Sequence, residues 1–358
     1  MADQYWTTRL SRPDETNAVL DLVRTVHGDR YPELNRSYWR WRYLEGGQFR
    51  AGIVLAEHDG DAIGIQPVAL FDFMWDNNRL KGAMFTGVLT HPAHRRRGVF
   101  RSLVTRAQEH AASRGALFCM TMPNEASLPG FRRFGGWAHP GPIPLYVKAL
   151  DGAAMLRPRV GRAAAALLGW APRVMLCRSP ADRSEWSVDV QAVDRMPDEL
   201  DSVAEAFARE CGTLHILRSA AYWNWRYCDK PASAYRTLVA RRDGELAGAV
   251  VTSVEQHFGM DVGMILDLVV SGGSIPIRQL LRVAEEDLAE RGLGLITCQA
   301  TSPVMQLALR GEGFVRPPVR LLPKRFHFVY RLTGAEAMPL KPDVLSDWHL
   351  TFGDSDNT

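Results

Sequence analysis

Apolar and polar residues alternate over 52–57, break at His58-Asp59-Gly60-Asp61, and resume over 63–75. Alternate strand residues face opposite sides of a sheet and Asp-Gly accepts the positive φ of a tight turn, so the pattern predicts an antiparallel hairpin. A second turn at Asp76-Asn77-Asn78 leads into a strand ending near Thr90. The period then lengthens: Val99, Phe100, Leu103, Val104, Ala107 and Ala111 recur at helical spacing, and Gly115 closes the helix. Residues 117–122 supply a short buried strand, and 127–134 a further short helix before Gly135-Gly136. The order returns later, with strands over 238–241, 247–254, 264–270 and 295–297 and a helix over 277–290. A mixed α/β sheet in each half is the expected fold.

The two halves are copies. Ser37-Tyr38-Trp39-Arg40-Trp41-Arg42-Tyr43 returns as Ala221-Tyr222-Trp223-Asn224-Trp225-Arg226-Tyr227, with Tyr38 and Tyr222 184 positions apart. The same offset carries Asp59-Gly60 onto Asp243-Gly244 and Gly64 onto Gly248. Further on, Arg114-Gly115 matches Arg291-Gly292 and Gly136-Trp137 matches Gly313-Phe314, both at 177. Seven residues are lost between Gly64 and Arg114, and the visible difference is an arginine-rich loop that the second half replaces with Val270-Ser271-Gly272-Gly273-Ser274. The repeat thus locates the functional asymmetry. The expected organisation is a first domain over 1–149, a partly helical linker over 150–185 (helix 163–168), a second domain over 186–335, and a tail over 336–358 whose Asp354, Asp356 and Asn357 are too polar to pack. The aromatics of the paired motifs recur in the half without the loop, so core packing is their expected role.

Composition narrows the function classes. The 358 residues are 46% apolar and 23% charged, as in a globular protein, and a net charge of +3 gives no global field to recruit nucleic acid or an anionic membrane. No apolar run reaches the roughly 18 residues of a membrane span. Five scattered cysteines without C-x-x-C spacing argue against a disulfide framework or a zinc site, and a cytoplasmic setting is expected.

Candidate chemistry concentrates in His91-Pro92-Ala93-His94-Arg95-Arg96-Arg97-Gly98-Val99-Phe100. A strand running through a tight basic loop into a helix directs unpaired backbone N–H groups at one point, which attracts phosphate. Gly98 lets the backbone approach a ligand, and the arginines add positive charge. The run from Val88 to Val99 resembles the acetyl-CoA signature of the GNAT acyltransferases, matching at Arg95 and Gly98, with Phe100 where a small residue is common. Downstream, Pro123-Asn124-Glu125-Ala126-Ser127-Leu128-Pro129-Gly130-Phe131-Arg132-Arg133-Phe134-Gly135-Gly136-Trp137 resembles the family's Asn-to-Gly-aromatic segment, including the version in tandem GNAT enzymes related to the Eis aminoglycoside acetyltransferases.

That resemblance implies two tandem GNAT-like domains, the second lacking the pyrophosphate loop. It implies acetyl-CoA or another short acyl-CoA as co-substrate, no metal, and a primary amine on a small molecule as acceptor, attacking directly in a ternary complex. Backbone groups of Val88, Leu89 and Thr90 would hold the pantetheine and acyl carbonyl. The amides of Arg95, Arg96, Arg97, Gly98, Val99 and Phe100, with Arg101 just inside the helix, would hold the diphosphate, and Asn124 would reach the pantetheine arm. The Tyr that many relatives use as acid is replaced by Phe131, which has no proton to give. For the base, the candidates are His91 and its neighbour His94, Ser127 and Glu33. Alternative readings are an acyl-CoA-binding sensor without turnover, and an acyltransferase acting on a glycan, peptidyl or carrier-bound amine. Asp267 and Gly272-Gly273 form a possible second site, for which a structural or acceptor-shaping role is expected.

Overall fold

A computed structural model of the chain describes residues 5–29, 31, 34–134, 136–153, 188–257, 259–322, 325–334 and 342–355. The strands form where the alternation places them. β1 (Thr7–Leu10), β2 (Gly52–His58), β3 (Asp61–Trp75) and β4 (Asn78–Phe85) pair antiparallel in succession. Asp59 and Gly60 turn β2 into β3 with φ of 51° and 88°, the positive pair that a two-residue hairpin turn requires. A short β5 (Leu89–Thr90) returns to β3, and β6 (Phe118–Thr121) lies parallel to β4. The intervening helices are α1 (Thr16–His27), α2 (Arg36–Trp39), α3 (Val99–Ser113) and, after β6, α4 (Leu128–Arg133).

After β7 (Ala138–Pro142) and β8 (Leu145–Ala149), the second half rebuilds the same sheet from β9 (Asp189–Ala192), β11 (Arg236–Arg242), β12 (Glu245–His257), β13 (Met260–Val270) and β14 (Leu295–Gln299), with a two-residue β10 (His215–Ile216) leaning on β3. Its helices are α5 (Leu200–Cys211), α6 (Ala220–Trp223), α7 (Ser274–Glu290) and α8 (Pro303–Gly311). β2 and β3 begin 184 residues before β11 and β12, and β6 begins 177 before β14, so the sequence offsets are the offsets of the strands. β13 and β14 are again the parallel pair.

The two sheets exchange edge strands. β15 (His327–Leu332) pairs with β6 and β7 of the first sheet, while β8 pairs with β14 of the second. Each half therefore donates the strand beyond the other's parallel pair, and the expected boundaries at 149 and 335 cut across the sheets. Most of the expected linker, with its helix at 163–168, lies outside the described residues. Among the described residues no helix is long and apolar enough to cross a membrane.

The paired aromatic motifs join the halves. α2 and α6 each run into a π-helical turn, Arg40–Leu44 and Asn224–Cys228, which brings Trp41 against Trp225, its own copy, with ring centroids 5.0 Å apart and planes 18° from parallel. Trp41 Nε1 donates to Trp225 O at 2.8 Å. A residue that stacks on its own repeat places the two halves about an approximate twofold axis. Trp39, Trp41, Tyr43, Trp223, Trp225 and Tyr227 are all buried, in keeping with a packing role.

The described part of the expected tail, residues 342–355, packs instead of trailing. Trp348 is wholly buried and meets Phe118, Phe328 and Tyr330, ring to ring, at 5.4, 4.7 and 5.2 Å. Asp354 was expected to be too polar to bury, yet it is 3% exposed, because Arg218 donates to its Oδ2 at 2.8 Å and Thr351 N–H does so at 2.8 Å. Arg218 also pairs with Asp267 at 2.8 Å, and Tyr227 donates to the same carboxylate at 3.1 Å. Asp267 thus has a structural role: burial alone would raise its pKa, and Arg218 opposes that rise. Asp356 and Asn357 lie outside the described residues. Replacing Arg218 with Met leaves two carboxylates buried without their cation, and urea unfolding should show a loss of about 3–5 kcal/mol. A loss below about 1 kcal/mol would show that the network does not hold the C-terminal segment.

Candidate functional site

The first sheet opens where β4 and β5 meet. β4 follows β3 as far as Phe85, opposite Val68, and touches β6 only along Gly82–Met84. β5 rejoins β3 with Leu89 opposite Ile65. Between these points three residues, Thr86, Gly87 and Val88, face only two on β3, Gln66 and Pro67. That is a bulge, and it bends the strand away from β6. The result is a cavity of about 950 Å³ that includes residues 85–89 on one wall and 120–124 on the other.

The backbone on the first wall divides by direction. His91 N–H donates to Ile63 O at 2.9 Å, so by antiparallel alternation Leu89 also turns its peptide groups toward β3, while Val88 and Thr90 turn theirs away. Among the described residues, the N–H groups of Gly87 and Val88 have no backbone partner. Of the three residues expected to offer backbone groups, Leu89 has its own engaged in the sheet, and Thr90 O accepts from Arg95 Nε at 3.3 Å. Val88 keeps its N–H available.

The basic loop is a short 3-10 turn, Pro92–His94, followed by extended Arg95, left-handed Arg96 (φ 61°) and Gly98 at φ 96°, the N-cap of α3. The first intrahelical bond is Ser102 N–H to Gly98 O at 3.1 Å. The N–H groups of Val99, Phe100 and Arg101 therefore have no intrahelical acceptor, and no other described residue supplies one. Arg95, Arg96, Arg97 and Arg101 are exposed around this point. Beneath the loop, the Trp6 ring would lie 3.6 Å from a Cβ at position 98, an ordinary contact, so the glycine serves the left-handed conformation. Tyr5 braces the flank, with its OH 3.1 Å from Arg97 Nη1 and 3.2 Å from His94 Nδ1. Phe100 is accommodated by another glycine: it packs against Gly130, where a Cβ would come within 2.8 Å of the ring, and edge-on to Phe131 at 5.2 Å.

The expected proton-transfer residues fare unequally. His91 is outside the cavity wall and caps the loop turn, its Nδ1 accepting from Ala93 N–H at 3.2 Å. His94 also stays off that wall, with its pKa lowered by burial and by His91, His58 and Arg97. Glu33 lies outside the described residues. Ser127 is on the wall, but its hydroxyl is 3.1 Å from Asn124 Oδ1, which also accepts from the N–H of Ala126 and Ser127 at 3.0 and 2.9 Å. Asn124 thereby shapes its own turn and keeps its Nδ2 end for the cavity. Phe131 is 2% exposed and packs on Trp137, ring to ring at 5.0 Å.

Several cavity residues escaped the sequence reading because they come from the other half. Lys230, Tyr235, Ser253 and Glu255 line the cavity, as does Asp354 from the C-terminal segment. Lys230 Nζ donates to Tyr235 OH at 2.5 Å, and burial raises the Tyr235 pKa against the opposing pull of Arg226. From the first half His27, stacked on Tyr31 at 4.1 Å, completes the rim, with its pKa lowered by burial and then by Arg95. The only sequence signal was the paired motif, which brings the halves face to face and so leaves residues after Tyr227 near the first sheet.

The matching place in the second half is built differently. Gly272 and Gly273 precede α7 as the basic loop precedes α3, but their N–H groups donate to Glu210 Oε2 at 2.5 and 3.0 Å. Thr301, 177 residues after Asn124, bonds the C-terminal segment through Trp348 O and, at 2.8 Å, Leu350 N–H. Both places are thus tied to other parts of the chain, while the N–H groups of Ser274 and Ile275 at the start of α7 have no acceptor among the described residues. Among the described residues no cluster of His, Cys, Asp or Glu could hold a metal ion.

Comparison with known proteins agrees with this architecture. Residues 7–139 match the profile of the acetyltransferase (GNAT) domain. No curated protein matches the sequence. A GCN5-related N-acetyltransferase from Anabaena variabilis superposes with a TM-score of 0.63 at 12% identity, over 93% of this chain and 74% of that one. Eis1 from Mycobacterium abscessus gives 0.58 at 17%, with 93% and 74% covered. The N-myristoyltransferase of Saccharomyces cerevisiae, solved with bound myristoyl-CoA, gives 0.56 at 11%, with 96% and 88% covered. These likenesses establish the shared fold.

Two variants test the asymmetry of the loops. Gly98→Ala places a side chain at a left-handed position and should cost about 1–2 kcal/mol in denaturant unfolding; no cost would mean that φ at position 98 is not as described. Glu210→Ala should cost about 0.5–1 kcal/mol by removing the acceptor of the Gly272 and Gly273 N–H groups. A neutral or stabilising effect would contradict that role.

Proposed function

We propose that this GNAT-fold protein, whose residues 7–139 carry a GNAT acetyltransferase domain, is an acyl-CoA-dependent N-acyltransferase with one donor site, in its first half. The observation that carries the reading is the set of N–H groups without partners among the described residues, at Val88 and at Val99, Phe100 and Arg101, on the two sides of the basic loop. They fit the two parts of an acyl-CoA. The helix N-terminus with Arg95, Arg96, Arg97, Gly98 and Arg101 would hold the diphosphate, since helix polarity and unpaired donors both favour an anion there. Val88 N–H would face the acyl carbonyl, with Leu89 and Thr90 keeping the strand in register and Asn124 on the opposite wall. Acetyl-CoA or another short acyl-CoA supplies an activated thioester, and a fixed N–H donor at a carbonyl oxygen favours the charge that develops when an amine attacks.

The acceptor is a primary amine on a small molecule, entering through the part of the cavity walled by Tyr31, Tyr38, Tyr235 and Glu255. A cavity shared by two halves is a common setting for a small-molecule site. The attacking amine must lose a proton, and Ser127, on the cavity wall, is better placed for contact with it than His91. Phe131 offers no acid, which suits a thiolate that leaves without one. The same residue favours a second reading, an acyl-CoA sensor without turnover.

Thiol release from acetyl-CoA across a panel of primary amines tests the enzyme. Steady release is expected with at least one class of amine, and a purified protein that does not bind acetyl-CoA in calorimetry would refute both readings. Binding without release across amino sugars, polyamines and amino acids, and equally across glycan, peptidyl and carrier-bound amines, would leave only the sensor. Replacing Gly98 with Val should weaken acetyl-CoA binding at least about tenfold, while changes over 271–274 should leave it unaltered.

A further inference from the structure

An amine that attacks a thioester must first lose its extra proton, and imidazole is the side chain whose basicity suits that task near neutral pH. Ser127 can touch the amine, but a hydroxyl is itself inert without a base beside it. Of the loop histidines, His91 Nδ1 accepts from Ala93 N–H, His94 Nδ1 is 3.2 Å from Tyr5 OH, and neither lines the cavity. Among the described residues the one histidine on the cavity wall is His27. No hydrogen bond or ion pair among those residues engages its ring nitrogens.

The helix explains why a histidine stands there. Val19 and Val23 are buried on the stripe of α1 that packs on β3 and β5, in one core cluster with Ile65 and Leu89. His27 is the next position of that stripe, one turn beyond Val23, and α1 ends there at Gly28 with φ 83°. The stripe thus runs off the core and into the cavity beside the strand that carries Val88. Tyr31 holds the ring, the two stacking with centroids 4.1 Å apart and planes 11° from parallel, which leaves the nitrogen-bearing edge open. α3 lies on the other face of the sheet, where Val99 and Leu103 pack with Val54 and Val68. An anion held at the start of α3 and an amine beside His27 therefore approach from opposite faces.

The surroundings keep this ring neutral. Burial lowers the His27 pKa and the positive charge of Arg95 lowers it further, so the free base prevails at neutral pH. Arg24 and Asp29, paired at 3.2 Å, share its end of α1, and Lys230, Glu255 and Asp354 are the charged groups of the second half and C-terminal segment on the same cavity. A diphosphate bound at Arg95 offsets that arginine's part of the lowering, so the base strengthens once a donor is in place.

We infer that His27 is the general base that deprotonates the acceptor amine, an inference that rests on the enzymatic reading above. A ring nitrogen takes one proton from the acceptor's ammonium group and passes it to solvent. The freed amine forms the C–N bond as the C–S bond breaks, and a second proton from the same nitrogen goes to the leaving sulfur, which departs as the free thiol. The sulfur then needs no acid at the place of Phe131.

Thiol release from acetyl-CoA with glucosamine, spermidine and lysine, followed against pH on the full chain, tests the base. His27→Phe keeps a ring on Tyr31 but has no nitrogen. It should lower kcat about a hundredfold on the best of the three amines, with acetyl-CoA affinity in calorimetry within about twofold of the parent. The parent's kcat should fall on the acid side as His27 takes its proton, and that limb should be gone in the variant. A variant kcat within about threefold of the parent overturns the assignment, and so does an acid limb at the same pH in both proteins. Loss of acetyl-CoA binding in the variant also overturns it, because the ring would then serve the donor. A parent that binds acetyl-CoA but releases no thiol with any of the three removes the small-molecule reading, and this base with it.

Discussion

The requirement that every peptide N–H find an acceptor organises this protein. Ladders and helices meet most of it, and among the described residues it stays open in the first half at Val88, beside the bulge, and at the start of α3, among the arginines of the basic loop. Both openings arise from local geometry. A three-against-two bulge swings Val88 out of the β3 ladder, and a left-handed Gly98 starts α3 without a side chain that could cap it. In the second half Glu210 accepts from the N–H groups of Gly272 and Gly273, the two residues before α7, and the turn matching Asn124 is engaged by the C-terminal segment. The two copies of one fold therefore differ at the place where the first carries its basic loop.

The copy still shapes the site. Trp41 and Trp225 stack about the approximate twofold, each half lends an edge strand to the other's sheet, and residues 230–235 and 253–255 reach the cavity from the second half. The C-terminal segment closes the arrangement, with Trp348 on the first sheet and Asp354 tied through Arg218 to Asp267 on the second. A buried ion network of this kind contributes little net stability over an apolar replacement, but removing one member is costly. Its effect is to fix where the segment lies, and with it one edge of the cavity.

Much of this was legible in the sequence. Alternation and Asp-Gly pairs gave the hairpins, since a half-buried strand must alternate, and the repeat offsets reproduced the starts of β11, β12 and β14. The arginine loop stood out because its own copy lacks it. What could not be read depended on partners rather than on period. β8 and β15 look like ordinary strands, and nothing in their pattern says which sheet takes them. Asp354 reads as a solvated tail residue until Arg218 is beside it. Glu210 reads as a surface charge on α5. His91 was a reasonable base by type, but its ring nitrogen caps the turn that carries it. Leu89 was expected to bind through its backbone, which one ladder register commits to β3.

The central claim is that the chain has a single donor site, created where the basic loop of the first half opens into α3 beside the free strand end at Val88, a loop that the second half lacks. Its most direct test is the stoichiometry of acetyl-CoA binding to the intact protein by titration calorimetry. One molecule per chain is the predicted result. Two per chain would show that the second half binds a donor without the basic loop, and none would show that the open N–H groups of the first half serve some other ligand.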